Sequence, residues 1–190
     1  MKKKTKGFTV LELIITISLM VIVLGVIYTF FFSNSKTLTT NEINSDLQFE
    51  VDKIQQELLF YGTQANEINE INGSTINEAN KYNYVGALDG NGKLDVTNLK
   101  FIVESEEINF IYTGSENKLE LQVGTNSSKV LSFNVTEFKI RPLDYKMQVD
   151  NEKRNFYHSN GLEISLTLKK KKGYSDVTIP VSVIVKFRNK

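Results

Sequence analysis

Glu12 is the residue whose position in this sequence most needs a chemical explanation. It is the single charged side chain within residues 8–32, a run of 25 residues that is otherwise apolar or weakly polar. A carboxylate at the centre of a membrane helix costs about 2.5–3.5 kcal/mol, and less near an interface. Its presence therefore indicates a cationic partner inside the membrane. The alternative is a carboxylate that reaches the headgroups or stays protonated.

Ordinary catalysis has few residues to work with in this chain. Among 190 residues there is no Cys, no Trp and one His, which is His158. Cysteine nucleophiles, thiolate zinc sites and histidine-based triads therefore lack their essential groups. The 23 basic and 22 acidic side chains give no basic excess for nucleic-acid binding. We expect a protein that is not an enzyme and that needs no cofactor.

Asp89, Asn91 and Asp95 are the weak candidates for metal ligands. They place oxygen atoms at positions 1, 3 and 7 of a segment that resembles a calcium-binding loop. Lys93 occupies a ligand position of that loop, however, and no Glu stands at position 12. The pattern favours a Gly-rich turn that leads into a strand, so no metal is predicted.

The run that contains Glu12 is long enough to cross a membrane. At about 1.5 Å per residue it forms a helix of about 37 Å, against a hydrocarbon core of about 30 Å. Lysines before the run place its N-terminal end in the cytoplasm and the rest of the chain outside. These lysines are Lys2, Lys3, Lys4 and Lys6. A cleaved secretory signal is disfavoured, because its apolar region spans about 7–15 residues and ends at small residues.

The segment Lys-Gly-Phe-Thr-Val-Leu-Glu-Leu, which contains Gly7, Phe8 and Glu12, resembles the class III signal sequence of type IV prepilins and pseudopilins. The shared features are a short basic leader that ends in Gly, a Phe after it, and Glu as the fifth residue of an apolar helix. The resemblance implies that prepilin peptidase cleaves between Gly7 and Phe8 and N-methylates Phe8. It also implies that Glu12 pairs with the N-terminal ammonium of a neighbouring subunit, which supplies the missing cation.

A second helical pattern follows the apolar run. Hydrophobic residues recur there at intervals of three and four, which is typical of an amphipathic helix. They are Ile43, Leu47, Val51, Ile54, Leu58 and Tyr61. Gly62 stands where a C-terminal cap is expected. No Pro occurs before Pro142, so the two patterns can form one helix, with Gly25 and residues 33–35 as the expected places for a bend.

The remaining residues divide into a connection and a strand-rich region. Residues 63–97 are rich in Asn, Glu and Gly and are predicted to be a connecting loop region with at most one short helix or strand. Residues 98–190 contain several alternating segments and are predicted to form an antiparallel sheet. A bulge is expected near Thr136 and Glu137, and Pro180 is expected in an edge strand or a bulge.

These patterns predict an α+β, pilin-like fold. Its long N-terminal helix has a transmembrane and assembly half at residues 8–32, which projects after loss of the leader 1–7. The amphipathic half at residues 33–62 packs on the oily face of the sheet. Residues 169–172, four consecutive lysines, are predicted to be a solvated hairpin tip; contact with DNA or a surface ligand is the alternative, for which the few nearby aromatic residues give no support.

Three roles stay open within the family that the chain resembles: major pilin, minor pilin, or pseudopilin of a type II secretion or competence DNA-uptake system. The length and the strand-rich end are similar to the larger minor pilins of the J-type class. We therefore expect a structural subunit that moves from the membrane to a cell-surface filament. The resemblance implies other pilins, prepilin peptidase, an assembly platform protein and a cytoplasmic motor ATPase as partners. A single-pass anchored sensor, adhesin or enzyme ectodomain is the alternative of another class.

Overall fold

The computed structural model describes residues 7–81, 83–143 and 155–188. Within these residues one α-helix, α1, covers Val10–Gln64 and precedes ten β-strands. The strands are β1 Glu67–Ile71, β2 Ser74–Thr75, β3 Leu94–Asp95, β4 Asn98–Val103, β5 Glu106–Thr113, β6 Lys118–Val123, β7 Lys129–Ser132, β8 Val135–Pro142, β9 Gly161–Lys172 and β10 Ser175–Lys186. Two short 3₁₀ turns lie at Val85–Ala87 and Gly114–Glu116.

The helix α1 runs without interruption through both helical patterns of the sequence. Hydroxyl groups in its first half donate to carbonyl oxygens one turn earlier, as Thr16 does to Glu12 at 2.7 Å and Thr29 to Gly25 at 2.8 Å. These polar side chains are therefore satisfied within the helix and need no water, which a membrane environment requires.

Gly62 lies inside α1 rather than at its end. The helix continues to Gln64, and the N–H of Ala65 donates to the carbonyl of Tyr61. A Cβ at position 62 would lie 2.5 Å from Cγ1 of Val185 in β10. The prediction that this glycine caps the helix is therefore wrong, and its missing side chain serves close packing of the helix on the sheet.

The strands form two antiparallel sheets rather than the single sheet expected. One has the order β2-β1-β4-β5-β6-β7, and the other has the order β10-β9-β8-β3. The second half of α1 lies against β9 and β10, and it also contacts β7 and β4 of the larger sheet. The α+β prediction of a long N-terminal helix packed on antiparallel strands is confirmed.

Residues 63–97 contain β1, β2 and β3, so the prediction of a connecting loop region is wrong. Ile68 and Ile71 of β1 are buried in the core. The pairing of β1 with β4 shifts register between Ile68 and Glu70. Because of this irregularity, two residues three positions apart face the same side, and the strand does not show the alternation by which strands are recognised.

Two finer expectations for the strands are confirmed. The register of β8 against β9 shifts between Val135 and Glu137, so that Val135 and Phe138 are both buried. Pro180 lies in β10, which is an edge strand of the smaller sheet. An edge position tolerates a residue that has no backbone N–H.

One hydrophobic core joins the helix to both sheets. From α1 it includes Ile43, Leu47, Val51, Ile54 and Leu58. Phe101 of β4 connects the layers, because its ring packs edge-on against Phe110 of β5 and against Phe187, which follows β10. This core fixes the direction in which the first half of α1 leaves the head.

Candidate processing and assembly site

The first turn of α1 is closed by a reciprocal pair of hydrogen bonds between Thr9 and Glu12. Thr9 has an extended backbone, and its hydroxyl oxygen accepts the N–H of Glu12 at 3.2 Å. In return, Oε2 of Glu12 accepts both the N–H and the hydroxyl of Thr9, each at 3.0 Å. This capping box satisfies two N–H groups that a helix start otherwise leaves without a partner.

The capping box holds the carboxylate of Glu12 beside the Phe8–Thr9 peptide, which is the start of the predicted mature chain. The negative charge also lies at the positive end of the helix dipole, where it is stabilised. Thr9 is a functional residue that the sequence analysis missed. The Thr-x-x-Glu spacing was the signal that could have identified it.

The predicted cleavage point precedes the helix in an exposed segment. Gly7 and Phe8 lie outside α1, and both are exposed. A Cβ built on Gly7 would meet no atom within 4 Å. The Gly7–Phe8 peptide bond is therefore accessible, one residue before the capping residue Thr9. The leader residues Lys2, Lys3, Lys4 and Lys6 lie outside the described residues.

The first half of α1 is left uncovered by the head, apart from an edge-on ring contact of Phe32, at its end, with Tyr174. Every residue from 7 to 38 is exposed, although most are large and apolar. The helix is long and apolar enough to span a membrane, and none of its most apolar stretch is buried by the head. An exposed apolar surface of this size requires lipid or other protein chains as its cover.

The lysines at 169–172 belong to β9 and in part face the helix. Nζ of Lys170 lies 2.8 Å from Oδ2 of Asp46, and Nζ of Lys172 lies 2.7 Å from Oε1 of Glu42. The hydrogen bond from Lys170 lowers the pKa of Asp46, and the same bond raises the pKa of Lys170. Lys169, Lys171 and Lys172 are exposed, as expected for a solvated hairpin tip, whereas Lys170 is half-buried; Lys170 and Lys172 also connect the strand to α1, which the prediction did not include.

Asp89, Asn91 and Asp95 do not form a ligand set. Oδ1 of Asp89 accepts the N–H groups of Asn91 and Lys93, at 2.8 and 2.9 Å, and the bond from Lys93 lowers the pKa of Asp89. The carboxylate of Asp95 lies 3.6 Å from Nζ of Lys139. Within the described residues, no cluster of three acidic or histidine side chains could hold a metal. The Asp89 segment is a turn that leads into β3.

His158 lies in a loop, away from the start of α1. Its backbone N–H donates to Oδ1 of Asn155, and its Nε2 lies 3.9 Å from Oε2 of Glu78. Both side chains of this pair are largely solvent-accessible. The arrangement fits a loop residue, and among the described residues no hydroxyl nucleophile forms a hydrogen bond with the imidazole.

The structure thus defines a class: a β-rich head carried on one long helix whose first half is apolar, exposed and headed by a capped glutamate. Residues 2–28 match the family model described as the prokaryotic N-terminal methylation motif. The chain therefore carries the class III signal sequence of type IV prepilins and pseudopilins. This motif implies processing by prepilin peptidase and assembly with other pilins. No curated protein and no solved structure matches the chain.

Proposed function

We propose that this protein is a structural subunit, a minor pilin, of a type IV pilus or a related filament machine, and that it is not an enzyme. One observation carries the proposal. The methylation motif at residues 2–28 includes most of an apolar stretch of helix that the head does not cover. A filament of packed helices is the kind of environment that such a surface requires.

In the proposed mechanism the first half of α1 moves from the lipid bilayer into the packed helices of a filament. Before assembly, the first half of α1 lies in the membrane with its N-terminal end towards the cytoplasm. Prepilin peptidase cleaves between Gly7 and Phe8, and a cytoplasmic motor ATPase, acting through a platform protein, moves the subunit into the filament. The transfer from lipid to neighbouring helices costs little, because both surroundings are apolar. Packing and charge must then set the register between subunits.

Glu12 supplies that charge. Its carboxylate pairs with the methylated ammonium of Phe8 on a neighbouring subunit, since two opposite charges attract strongly where water is excluded. The capping box keeps the carboxylate at the helix start while it awaits this partner. Within the described residues, Oε1 of Glu12 accepts no hydrogen bond, so the group can take a further donor.

A pseudopilin of a type II secretion or competence system is the second candidate, because the same motif serves that class. The size of the head, ten described strands in two sheets, supports a minor pilin. Purified filaments distinguish the roles. A minor pilin is present in long extracellular fibres at low stoichiometry, whereas a pseudopilin is recovered from the envelope without such fibres.

The first test is the intact mass and N-terminal sequence of the full chain coexpressed with a prepilin peptidase. The expected product begins at N-methylated Phe8. A Gly7→Ile variant, in which a branched side chain replaces the small residue before the cut, should remain unprocessed. Retention of Met1 in the parent chain, or cleavage beyond residue 32, would contradict the proposal and favour an anchored ectodomain.

A second test separates the charge of Glu12 from its role as a cap. Glu12→Gln retains a side-chain oxygen that can close the capping box, but it loses the charge. Thr9→Ala removes the hydroxyl that closes the capping box but leaves the charge of Glu12 in place. We expect all of these variants to be processed, Glu12→Gln and Glu12→Ala to be absent from filaments, and Thr9→Ala to be incorporated. Incorporation of Glu12→Gln at the parent level would show that the charge is not required.

A further inference from the structure

The turn between β9 and β10 reaches the point on α1 where the apolar run ends. We call residues 171–174 the hairpin tip. The ring of Tyr174 packs edge-on against Phe32, with 5.3 Å between the ring centroids. The hairpin is fastened to the helix just above this point, since Thr40 donates to the hydroxyl oxygen of Ser175 at 2.9 Å. The tip therefore has a fixed height along the helix.

This height coincides with the boundary of a membrane. A helix that enters the hydrocarbon near Phe8 crosses its roughly 30 Å in about 20 residues, and therefore leaves it near Tyr28. Phe32 and Tyr174 then lie about one helical turn further along, among the headgroups. Aromatic residues are enriched at this level of membrane proteins because their rings combine apolar area with a polar edge.

Three polar groups, two at the tip and one on the neighbouring turn of α1, face outward and are not used by the fold. Tyr174 is 80% exposed, and its hydroxyl makes no hydrogen bond within the described residues. Lys36 and Lys171 are exposed and form no ion pair with any described residue. The other three lysines of the run differ, because Lys170 and Lys172 pair with acids of α1 and Lys169 pairs with Asp176 of β10. A cleft of 220 Å³ lies between the tip and the helix, with Lys36 on its wall.

We propose that the hairpin tip and Lys36 form a contact with phospholipid headgroups on the head side of the membrane. Tyr174 inserts at the interface, and the ammonium groups of Lys36 and Lys171 bind the phosphates of anionic lipids. Two observations select lipid as the partner. The contact continues the apolar surface of the span through Phe32, and its unpaired charges are both positive. The contact rests on membrane insertion of α1, and it sets the tilt of the head before extraction.

The absence of Trp from the sequence makes the contact directly measurable. Three single-tryptophan variants of the full chain are reconstituted into vesicles that contain phospholipids brominated near the headgroup end of their acyl chains. Tyr174→Trp reports on the tip, Ile22→Trp reports on the span, and Ile184→Trp, at the opposite end of β10, is the matched control. We expect at least about threefold stronger quenching for Tyr174→Trp than for Ile184→Trp.

The charge component is tested in the Tyr174→Trp chain. Lys36→Glu combined with Lys171→Glu should reduce quenching in vesicles of phosphatidylglycerol and phosphatidylcholine, and it should have little effect in phosphatidylcholine alone. Lys186→Glu, at the far end of β10, is the matched control and should change neither. High salt should act in the same direction as the double substitution, because it screens exposed charges.

The outcomes separate the proposal from the function on which it rests. Quenching of Ile22→Trp together with equal quenching of Tyr174→Trp and Ile184→Trp would leave membrane insertion intact and overturn the contact. Failure of Ile22→Trp to be quenched would overturn both. A Tyr174→Trp chain that is shielded from aqueous iodide but unquenched by brominated lipid would assign the tip to a second copy of the chain, which also overturns the lipid contact.

Discussion

The two halves of α1 have the same backbone structure and opposite surroundings. In the first half, apolar residues cover all sides of the helix and every one is exposed. In the second half, apolar residues at intervals of three and four form a stripe, and that stripe is buried against the sheets. Both halves are helical, so helix formation does not show which half belongs to the head. The distribution of apolar residues around the helix does.

The two halves differ in whether the head can cover their apolar side chains. A helix of 55 residues is about 82 Å long, far more than a head of this size can cover. Only the second half has polar residues opposite its apolar stripe, so only that half can lie between a core and water. The first half must be covered by lipid or by neighbouring subunits.

The largest expected effect comes from matched leucine substitutions in the two halves. Leu58 is fully buried, whereas Leu19 is 58% exposed. Leu58→Ala leaves a cavity in the core and should lower the free energy of unfolding of the head by about 2–5 kcal/mol. Leu19→Ala should leave it unchanged. Urea unfolding of the full chain in detergent micelles, followed by near-ultraviolet circular dichroism, measures both. Equal losses would contradict the division of α1.

Alanine substitutions at two glycines of α1 should change the free energy of unfolding less, and they test how closely the helix approaches β10. A Cβ on Gly62 would lie 2.5 Å from Val185, but a Cβ on Gly25 would meet nothing within 4 Å. Gly62→Ala should therefore lower the free energy of unfolding by about 1–3 kcal/mol through overpacking, despite the better helix propensity of Ala. Gly25→Ala should not destabilise the head. If Gly62→Ala is neutral in the same unfolding measurement, the helix does not approach β10 so closely.

The smallest expected effect concerns the ion pair between Asp46 and Lys170. The pKa of Asp46 is lowered by Lys170, so this carboxylate stabilises the head above its ordinary pKa and loses that contribution as the pH falls through its folded value. The raised pKa of Lys170 confines its contribution to pH values below its folded pKa. We expect the pair to act at neutral pH and to fail in acid and in strong base.

Asp46→Asn tests the pair, with Asp52→Asn as the control, because Asp52 is exposed and forms no ion pair within the described residues. The urea midpoint of Asp46→Asn should fall slightly at pH 7, and the difference should vanish in 1 M salt and diminish as the pH falls through the folded pKa of Asp46, which lies below its ordinary value. The pair is exposed, so the shift is small. A salt-independent shift would indicate lost packing rather than lost charge.

Several elements could be predicted from the sequence because their signals are local. The amphipathic stripe, the bulge in β8 and the edge position of Pro180 each depend on the periodicity of neighbouring residues or on one missing N–H group. Glu12 and Gly7 were identified by their spacing around the predicted cleavage point. The Thr9 cap has a local signal of the same kind, the Thr-x-x-Glu spacing at the start of the apolar run.

Other features required the tertiary structure. Ile68 and Ile71 lack alternation, so β1 is recognisable only through its irregular pairing with β4. Gly62 has the sequence position of a cap, and only the approach of Val185 explains why it lies within the helix. Lys170 and Asp46 are 124 positions apart, and no sequence pattern indicates that they meet.

The sequence by itself determined that one helix has an apolar half with a glutamate at its start and an amphipathic half that needs a sheet. Composition and spacing are sufficient for this because the transfer of side chains from water depends on the residues themselves. Only the tertiary structure decided that the strands form two sheets, that part of the basic run faces α1, and that the hairpin tip lies beside Phe32. Those arrangements depend on contacts between segments that are distant in the sequence. The free energy of such a contact depends on both segments and cannot be read from either one alone.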